Sequence, residues 1–142
     1  KFETNIEENV LGYLDSTQMR QLLTNIVKNA EEAVRLITNN KKEKSIKISL
    51  CSKYNTAQII VEDSGEGFKK GMITKIIEPY FTTKTKGTGL GLAIVKKIVD
   101  DHEGELIIRN GINNNAVVEI TLPTNLKNKN MLVGLVRKKE LT

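Results

Sequence analysis

The sequence predicts an α+β domain, on three observations. Residues 19–37 carry apolar side chains at helical spacing: Met19, Leu22, Leu23, Ile26, Val27, Ala30, Ala33, Val34 and Ile37. A second such run begins at Leu90 and continues through Ala93, Ile94, Val95, Ile98 and Val99. Five other segments read as short strands bounded by turn residues. A chain of 142 residues with 39% hydrophobic content is long enough for one domain with its own core.

The elements follow in order. Phe2 to Ile6 reads as an edge strand. Asp15-Ser16-Thr17-Gln18 is an N-cap with a capping-box partner, and the helix it opens runs to about Ile37. Ser45 to Ser52 alternates through Ile46, Ile48 and Leu50, and Ala57 to Glu62 is its hairpin partner across Tyr54-Asn55. Met72, Ile73, Ile76 and Ile77 predict a short helix within Phe68 to Ile77, which Pro79 stops. The second long helix runs from Gly89 or Leu90 to about His102, with Gly104 as its stop. Glu105 to Arg109 and Ala116 to Leu122 are closing strands around the loop Gly111 to Asn115. Pro123 ends the pattern, so the expected domain is 1–123, with 124–142 a tail.

The chemistry concentrates at Glu78 to Leu92. Gly87, Gly89 and Gly91 stand directly before the second helix. Glycine lets backbone approach a ligand closely, and a helix start offers unpaired N–H groups to phosphate oxygens. Lys84 and Lys86 add positive charge, so the stretch reads as a polyphosphate cradle behind a flexible, basic flap. It is not a P-loop, because Lys86 precedes Gly87-Thr88 in the wrong order. Nor is it a dinucleotide fingerprint, because no strand leads into it.

Two further features call for explanation. On a helical wheel of the first helix, Thr24, Lys28, Glu31 and Arg35 face away from the apolar arc, while Asn25, Asn29 and Glu32 cluster at its boundary. Asparagine is a mediocre helix former. The pair reads either as satisfied surface amides or as oxygens aimed at a metal; Mg²⁺ needs few protein ligands when phosphates and waters supply the rest. Asp63, at a strand end before Ser64-Gly65-Glu66-Gly67, is either part of a plain turn or an acceptor for the exocyclic amine of adenine.

Composition narrows the classes. The net charge is +5, but there is no Trp, and only three Tyr and three Phe, so base-stacking platforms are scarce. The scattered lysines read as a solvated basic surface rather than a nucleic-acid interface. A single cysteine, Cys51, excludes an internal disulfide framework and points to a reducing compartment. No apolar run approaches the length of a membrane span, and no signal-peptide pattern opens the chain. The abrupt start at Lys1 suggests a piece of a longer protein. His102, the single histidine, is placed in the last turn of a helix, where the dipole favours a cation, and is read as structural.

In this order the signals resemble the ATP-binding catalytic domain of sensor histidine kinases, in the superfamily shared with gyrase, Hsp90 and MutL. The resemblance covers Asp15 to Pro123. Asn25-Ile26-Val27-Lys28-Asn29-Ala30 matches the N box, and Asp63-Ser64-Gly65-Glu66-Gly67 the G1 box. Glu78-Pro79-Tyr80-Phe81-Thr82-Thr83-Lys84 matches the F box, and Gly87-Thr88-Gly89-Leu90-Gly91-Leu92 the G2 box. Within the family the F and G2 stretches look most like NtrY-type nitrogen-regulation sensor kinases.

The resemblance implies a two-layer α+β sandwich of the Bergerat type, with a mixed, mainly antiparallel sheet covered on one face by helices. It implies ATP and Mg²⁺ as cofactors. Asn29 would ligate the metal, and Asn25, Lys28 and Glu32 would lie beside the phosphates. Asp63, with Gly65 and Gly67, would hold adenine. Phe81, Thr83, Lys84, Lys86, Gly87, Thr88, Gly89, Leu90, Gly91 and Leu92 would complete the nucleotide site. Partners would be the protein's own dimerisation and phospho-acceptor domain and a response regulator. The parent would be a homodimer anchored in the inner membrane with this domain in the cytoplasm, and this piece a monomer. Superfamily ATPases carry a glutamate at position 25; an amide there supplies no general base, so hydrolysis should be slow. A stand-alone ATPase and an anti-sigma-factor-type serine kinase are the alternatives. Two departures stand out: no phospho-acceptor motif is present, and Asn113-Asn114-Asn115 replaces the family's Gly-Thr pair, leaving that loop without an assigned role.

Overall fold

The computed structural model describes residues 1–39, 43–82 and 87–125. Its elements run β1 (Phe2–Ile6), α1 (Ser16–Arg35), β2 (Ile46–Lys53), β3 (Thr56–Asp63), α2 (Gly91–Asp101), β4 (Glu105–Asn110) and β5 (Ala116–Pro123). The strands form one sheet in the order β1-β2-β3-β5-β4. β1 lies parallel to β2, and every other pairing is antiparallel. The expected mixed, mainly antiparallel sheet under helices is what the structure has.

Local chemistry explains each boundary. Asp15 caps α1: its Oδ1 accepts the Gln18 N–H at 2.9 Å, a contact worth about 1 kcal/mol. The helix ends at Arg35, slightly before the expected limit, with Leu36 as its C-cap. α2 ends in a Schellman arrangement, in which Gly104 N–H reaches Val99 O and Glu103 N–H reaches Asp100 O, both at 2.9 Å. Glu103, not Gly104, takes the left-handed conformation, with φ 55°. Gly104 is a glycine for room, since a β-carbon there would lie 2.6 Å from Thr121 O.

The predicted helix within Phe68 to Ile77 does not form. The segment is a chain of turns, with Met72 N–H donating to Lys69 O and Lys75 N–H to Met72 O. Gly71, at φ +77°, breaks the helical path at its start, and Pro79 closes the segment at its end. Too few residues remain between them to overcome the cost of helix nucleation.

The core lies between the helices and the inner face of the sheet. Met19, Leu22, Ile26 and Ala30 of α1 and Val95, Ile98 and Val99 of α2 pack on Ile46, Val61, Val118, Ile120 and Leu122. The register brings Val61 and Ile108 opposite Val118, so alternate residues of β3, β4 and β5 share that face. The other face is mixed: Gln58, Glu62, Arg109, Glu119 and Thr121 lie there beside Ile60, Ile107 and the buried Val117. Gln58 Nε2 and Arg109 Nε both donate to the Glu119 carboxylate, at 3.1 and 3.0 Å.

His102 is structural, as expected, but for a different reason. It is buried at the C-cap of α2. Nδ1 lies 2.7 Å from Ile98 O, and Nε2 accepts the Asp15 N–H at 3.2 Å. An imidazole that accepts at Nε2 while donating from Nδ1 is a neutral linker between two helix ends, not a cation on a dipole.

Candidate functional site

Two helices and two turns converge at one end of the sheet. α1 and α2 run antiparallel, because the start of α1 meets His102 and its middle meets the start of α2. The contact at the middle is close. A β-carbon built on Gly91 would lie 3.3 Å from Asn25 Oδ1 and 3.7 Å from Asn29 Nδ2. The two asparagines therefore face the first residue of α2, on the half-buried border of α1. Asn25 Nδ2 donates to Gln21 O at 2.9 Å, which turns Oδ1 toward Gly91.

One turn further along α1, Ala33 meets the turn after β3. A β-carbon on Gly65 would lie 3.0 Å from that of Ala33 and 2.7 Å from Asp63 Oδ1. Asp63 is 8% exposed, and its Oδ1 accepts the Gly65 N–H at 2.7 Å. Asn29 and Ala33 are neighbours at i and i+4, about 6 Å apart along the axis. Asp63 and Asn29 thus open on the same side of α1. Buried beside an apolar helix face, Asp63 is a shielded acceptor, and Gly65 is small because Ala33 and the Asp63 carboxylate take up the space a β-carbon would need.

The third part is the start of α2. Asp15 caps α1, whereas the N-cap residue of α2 is Leu90, which makes no side-chain capping bond. The start of α2 has no capping side chain, an arrangement suited to anionic oxygens, and Asn25 and Asn29 lie beside its first residue. Thr88 Oγ1 accepts the Leu90 N–H at 3.4 Å just before the helix. Gly89, at φ +69°, lies so close to the turn before the flap that a β-carbon would be 2.5 Å from the Tyr80 carbonyl carbon. Tyr80 itself has φ 65°.

The remaining expected residues divide as follows. Glu32 is half-buried on the same border of α1, whereas Lys28 is exposed on its outer side. Phe81 and Leu92 are half-buried, and Gly87 and Thr88 exposed. Thr83, Lys84 and Lys86, and with them the flap's predicted mobility, lie outside the described residues. Among the described residues no group of three or more His, Cys, Asp or Glu is placed to hold a metal. Asn25 and Asn29 bring side-chain amides beside the first residue of α2, and an amide oxygen is a donor type a hard cation accepts.

Reading the sequence alone missed two residues. Asn110 Oδ1 accepts the Phe68 N–H at 2.7 Å, and its Nδ2 donates to Phe68 O at 2.9 Å. Asn114 Nδ2 donates to Glu66 O at 3.1 Å. The asparagine-rich loop that had no assigned role grips the turn following Asp63. The available signal was Asn110 itself, a poor strand former on the inward parity of Leu106 and Ile108.

Comparison with known proteins agrees with this geometry. The profile described as "Histidine kinase-, DNA gyrase B-, and HSP90-like ATPase" matches residues 14–126. The chain is 38% identical over 135 residues to a protein of Rickettsia felis named as an NtrY-like sensor histidine kinase, covering 94% of this chain and 21% of that one. It is 36% identical over 109 residues to sporulation kinase C of Bacillus subtilis, covering 77% of this chain and 24% of that one. The chain thus spans roughly a fifth to a quarter of these relatives. The nucleotide-free catalytic domain of histidine kinase ThkA superposes with a TM-score of 0.75 at 35% identity, over 87% of this chain and 78% of that one. The chain belongs to the histidine kinase-, DNA gyrase B- and HSP90-like ATPase family, as an ATP-binding catalytic domain of the sensor histidine kinase kind.

Proposed function

We propose that the cleft between α1, the turn after Asp63 and the start of α2 binds ATP with Mg²⁺ for phosphoryl transfer to a protein histidine. The observation that carries this is the contact of Gly91 with Asn25 and Asn29. It puts two amides opposite a helix start without a capping side chain, while Asp63 opens on the same side of α1. Asn29 Oδ1 would be the protein ligand to the metal, with Asn25 and Glu32 beside it. Asp63 would accept from the adenine amine, with Gly65 and Gly67 forming the floor. Phe81, Gly87, Thr88, Gly89, Leu90, Gly91 and Leu92 would wall the phosphates, with Thr83, Lys84 and Lys86 contributed from the flap. Lys28, on the outer side of the helix, would act only through its charge.

The division of labour follows from side-chain chemistry. Phosphoryl transfer needs positioning and charge neutralisation more than covalent help. Asn25 is an amide and supplies no base to activate water, so bound ATP would persist until an acceptor arrives. His102 is not that acceptor, because it is buried and both ring nitrogens are engaged. The acceptor histidine would lie on a separate dimerisation domain of a homodimeric parent, which would pass the phosphoryl group to a response regulator. No helix among the described residues is long and apolar enough to cross a membrane; a cytoplasmic domain of an inner-membrane parent fits that. The catalytic domain would comprise residues 1–123, with 124–142 an appended tail.

Calorimetry with ATP and GTP, with and without Mg²⁺, tests this reading. ATP should bind, Mg²⁺ should strengthen binding, and GTP should bind at least tenfold more weakly. Asn29→Ala should remove the Mg²⁺ dependence. Equal affinity for ATP and GTP would refute the assignment of Asp63; a Mg²⁺ effect that survives Asn29→Ala would refute that of Asn29.

A further inference from the structure

The loop between β4 and β5 is held to the turn after Asp63 by a set of side-chain to backbone bonds. Asn110 engages both polar groups of one peptide residue, taking the Phe68 N–H at 2.7 Å and giving to Phe68 O at 2.9 Å. Its Nδ2 also donates to Asn114 Oδ1 at 3.1 Å. Asn114 Nδ2 reaches Glu66 O at 3.1 Å. The two asparagines thus replace the strand pairing that the turn after β3 lacks. Asn114 sits at φ 56°, a conformation asparagine tolerates better than most residues, and Gly111 N–H closes the loop on Asn115 O at 2.8 Å.

The fit has a consequence for Gly67. At φ +72° it passes so near the loop that a β-carbon would lie 2.2 Å from Asn114 O and 2.7 Å from Asn110 Oδ1. The second glycine of the Asp63 turn is therefore small because of this loop. Asp63 Oδ1 is in turn fixed through Gly65 N–H, two residues before Gly67.

We propose that Asn110 and Asn114 are positioning residues for purine recognition. They fix Glu66, Gly67 and Phe68 on the distal side of the turn, and thereby hold Asp63 and Gly65 at the distance an adenine ring requires. This rests on the reading that Asp63 recognises adenine. Neither asparagine need touch the nucleotide; their effect is to keep the acceptor and the floor of the ring site in register. A recognition site displaced by about 1 Å loses much of its discrimination.

The test uses the whole chain, with amide exchange by NMR and titrations of ATP and GTP. Asn110→Ala removes both contacts to Phe68. Asn110→Asp keeps the acceptor for Phe68 N–H and loses both Nδ2 donors. Asn114→Gly suits the left-handed backbone and removes only the side chain. The Phe68 amide should exchange faster in Asn110→Ala, to a smaller extent in Asn114→Gly, and least in Asn110→Asp, which keeps its acceptor, and core strand amides should remain protected. ATP affinity should fall at least tenfold in Asn110→Ala, with a smaller loss in Asn110→Asp and Asn114→Gly, and the preference for ATP over GTP should narrow. Unchanged Phe68 exchange in all three would overturn the proposal, and so would faster exchange with nucleotide preference intact. If Asn110→Ala fails to fold, the other two decide. A parent chain that prefers neither nucleotide would overturn the Asp63 reading and this one together; a parent that prefers ATP, with variants that keep the preference, overturns this one alone.

Discussion

Gly67 and Gly71 offer a matched pair of substitutions. Both have positive φ, +72° and +77°, in the same stretch of turns. Alanine in the left-handed region costs roughly 1–2 kcal/mol. Part of this is recovered because alanine also restricts the unfolded chain, by about 0.4–1 kcal/mol. At Gly71 nothing lies within 4 Å of the added carbon, so that balance is the whole effect. Gly71→Ala should therefore destabilise by roughly 0–1.6 kcal/mol. At Gly67 the carbon would meet Asn114 O at 2.2 Å, a backbone atom that cannot rotate aside. Crowding of this kind typically adds about 1–3 kcal/mol. The assay is equilibrium urea unfolding followed by circular dichroism. With a slope near 2 kcal/mol/M, the two midpoints should differ by about 0.5–1.5 M. If the turn moves instead of the fold weakening, the difference should appear as lost ATP affinity in Gly67→Ala alone. Equal midpoints together with equal ATP affinity would refute the packing argument.

Three other outcomes are expected. Gly91→Ala adds helix propensity, up to about 1 kcal/mol in a helix interior, yet places its carbon 3.3 Å from Asn25 Oδ1; urea stability should hold or rise slightly while ATP affinity falls at least tenfold, and unchanged affinity would mean that the phosphates do not sit there. The Ser52 hydroxyl and N–H donate to the Glu7 carboxylate, both at 2.6 Å, and hold it below the usual glutamate range. A carboxyl lowered by folding adds stability at higher pH that is lost as pH falls through its folded value; an NMR titration of Glu7 should find its midpoint below the ordinary 4.5, and Ser52→Ala should raise it only part of the way, because the backbone N–H still donates, whereas an ordinary midpoint in the parent would contradict the contact. His102→Phe keeps bulk but strands the Asp15 N–H, at about 1–3 kcal/mol; His102→Gln should recover part of this in urea unfolding, and a fully stable Phe variant would show the link to be dispensable.

How much of this was legible in the sequence depended on period and punctuation. The helices were readable because their apolar residues recur at about 3.6 positions and Asp15-Ser16-Thr17-Gln18 marks a start. β2, β3 and β5 were readable by alternation and strand composition. β1 was placed correctly, but its parallel pairing was not deducible, since its side chains are all exposed and carry no facing pattern. The segment from Phe68 to Ile77 misled because Met72, Ile73, Ile76 and Ile77 have helical spacing, while Gly71 and Pro79 leave no room for a helix. For the site, motif spacing brought Asn25, Asn29, Asp63, Gly65 and Gly91 into one account, and the structure puts them on one side of α1. Asn110 and Asn114 escaped notice because an asparagine-rich loop is ordinary turn chemistry. Their meaning depends on a tertiary neighbour more than forty residues away in sequence.

Helix α2 is tied at one extremity by an imidazole bridging to Asp15, and at the other its glycine lies beside two amides. Between them lies a rigid beam of about 16 Å. A beam tied at one end pivots there, so displacing His102 would change the gap between Gly91 and Asn25. Substitutions at the domain's far end, touching no ligand, would therefore register as altered nucleotide retention.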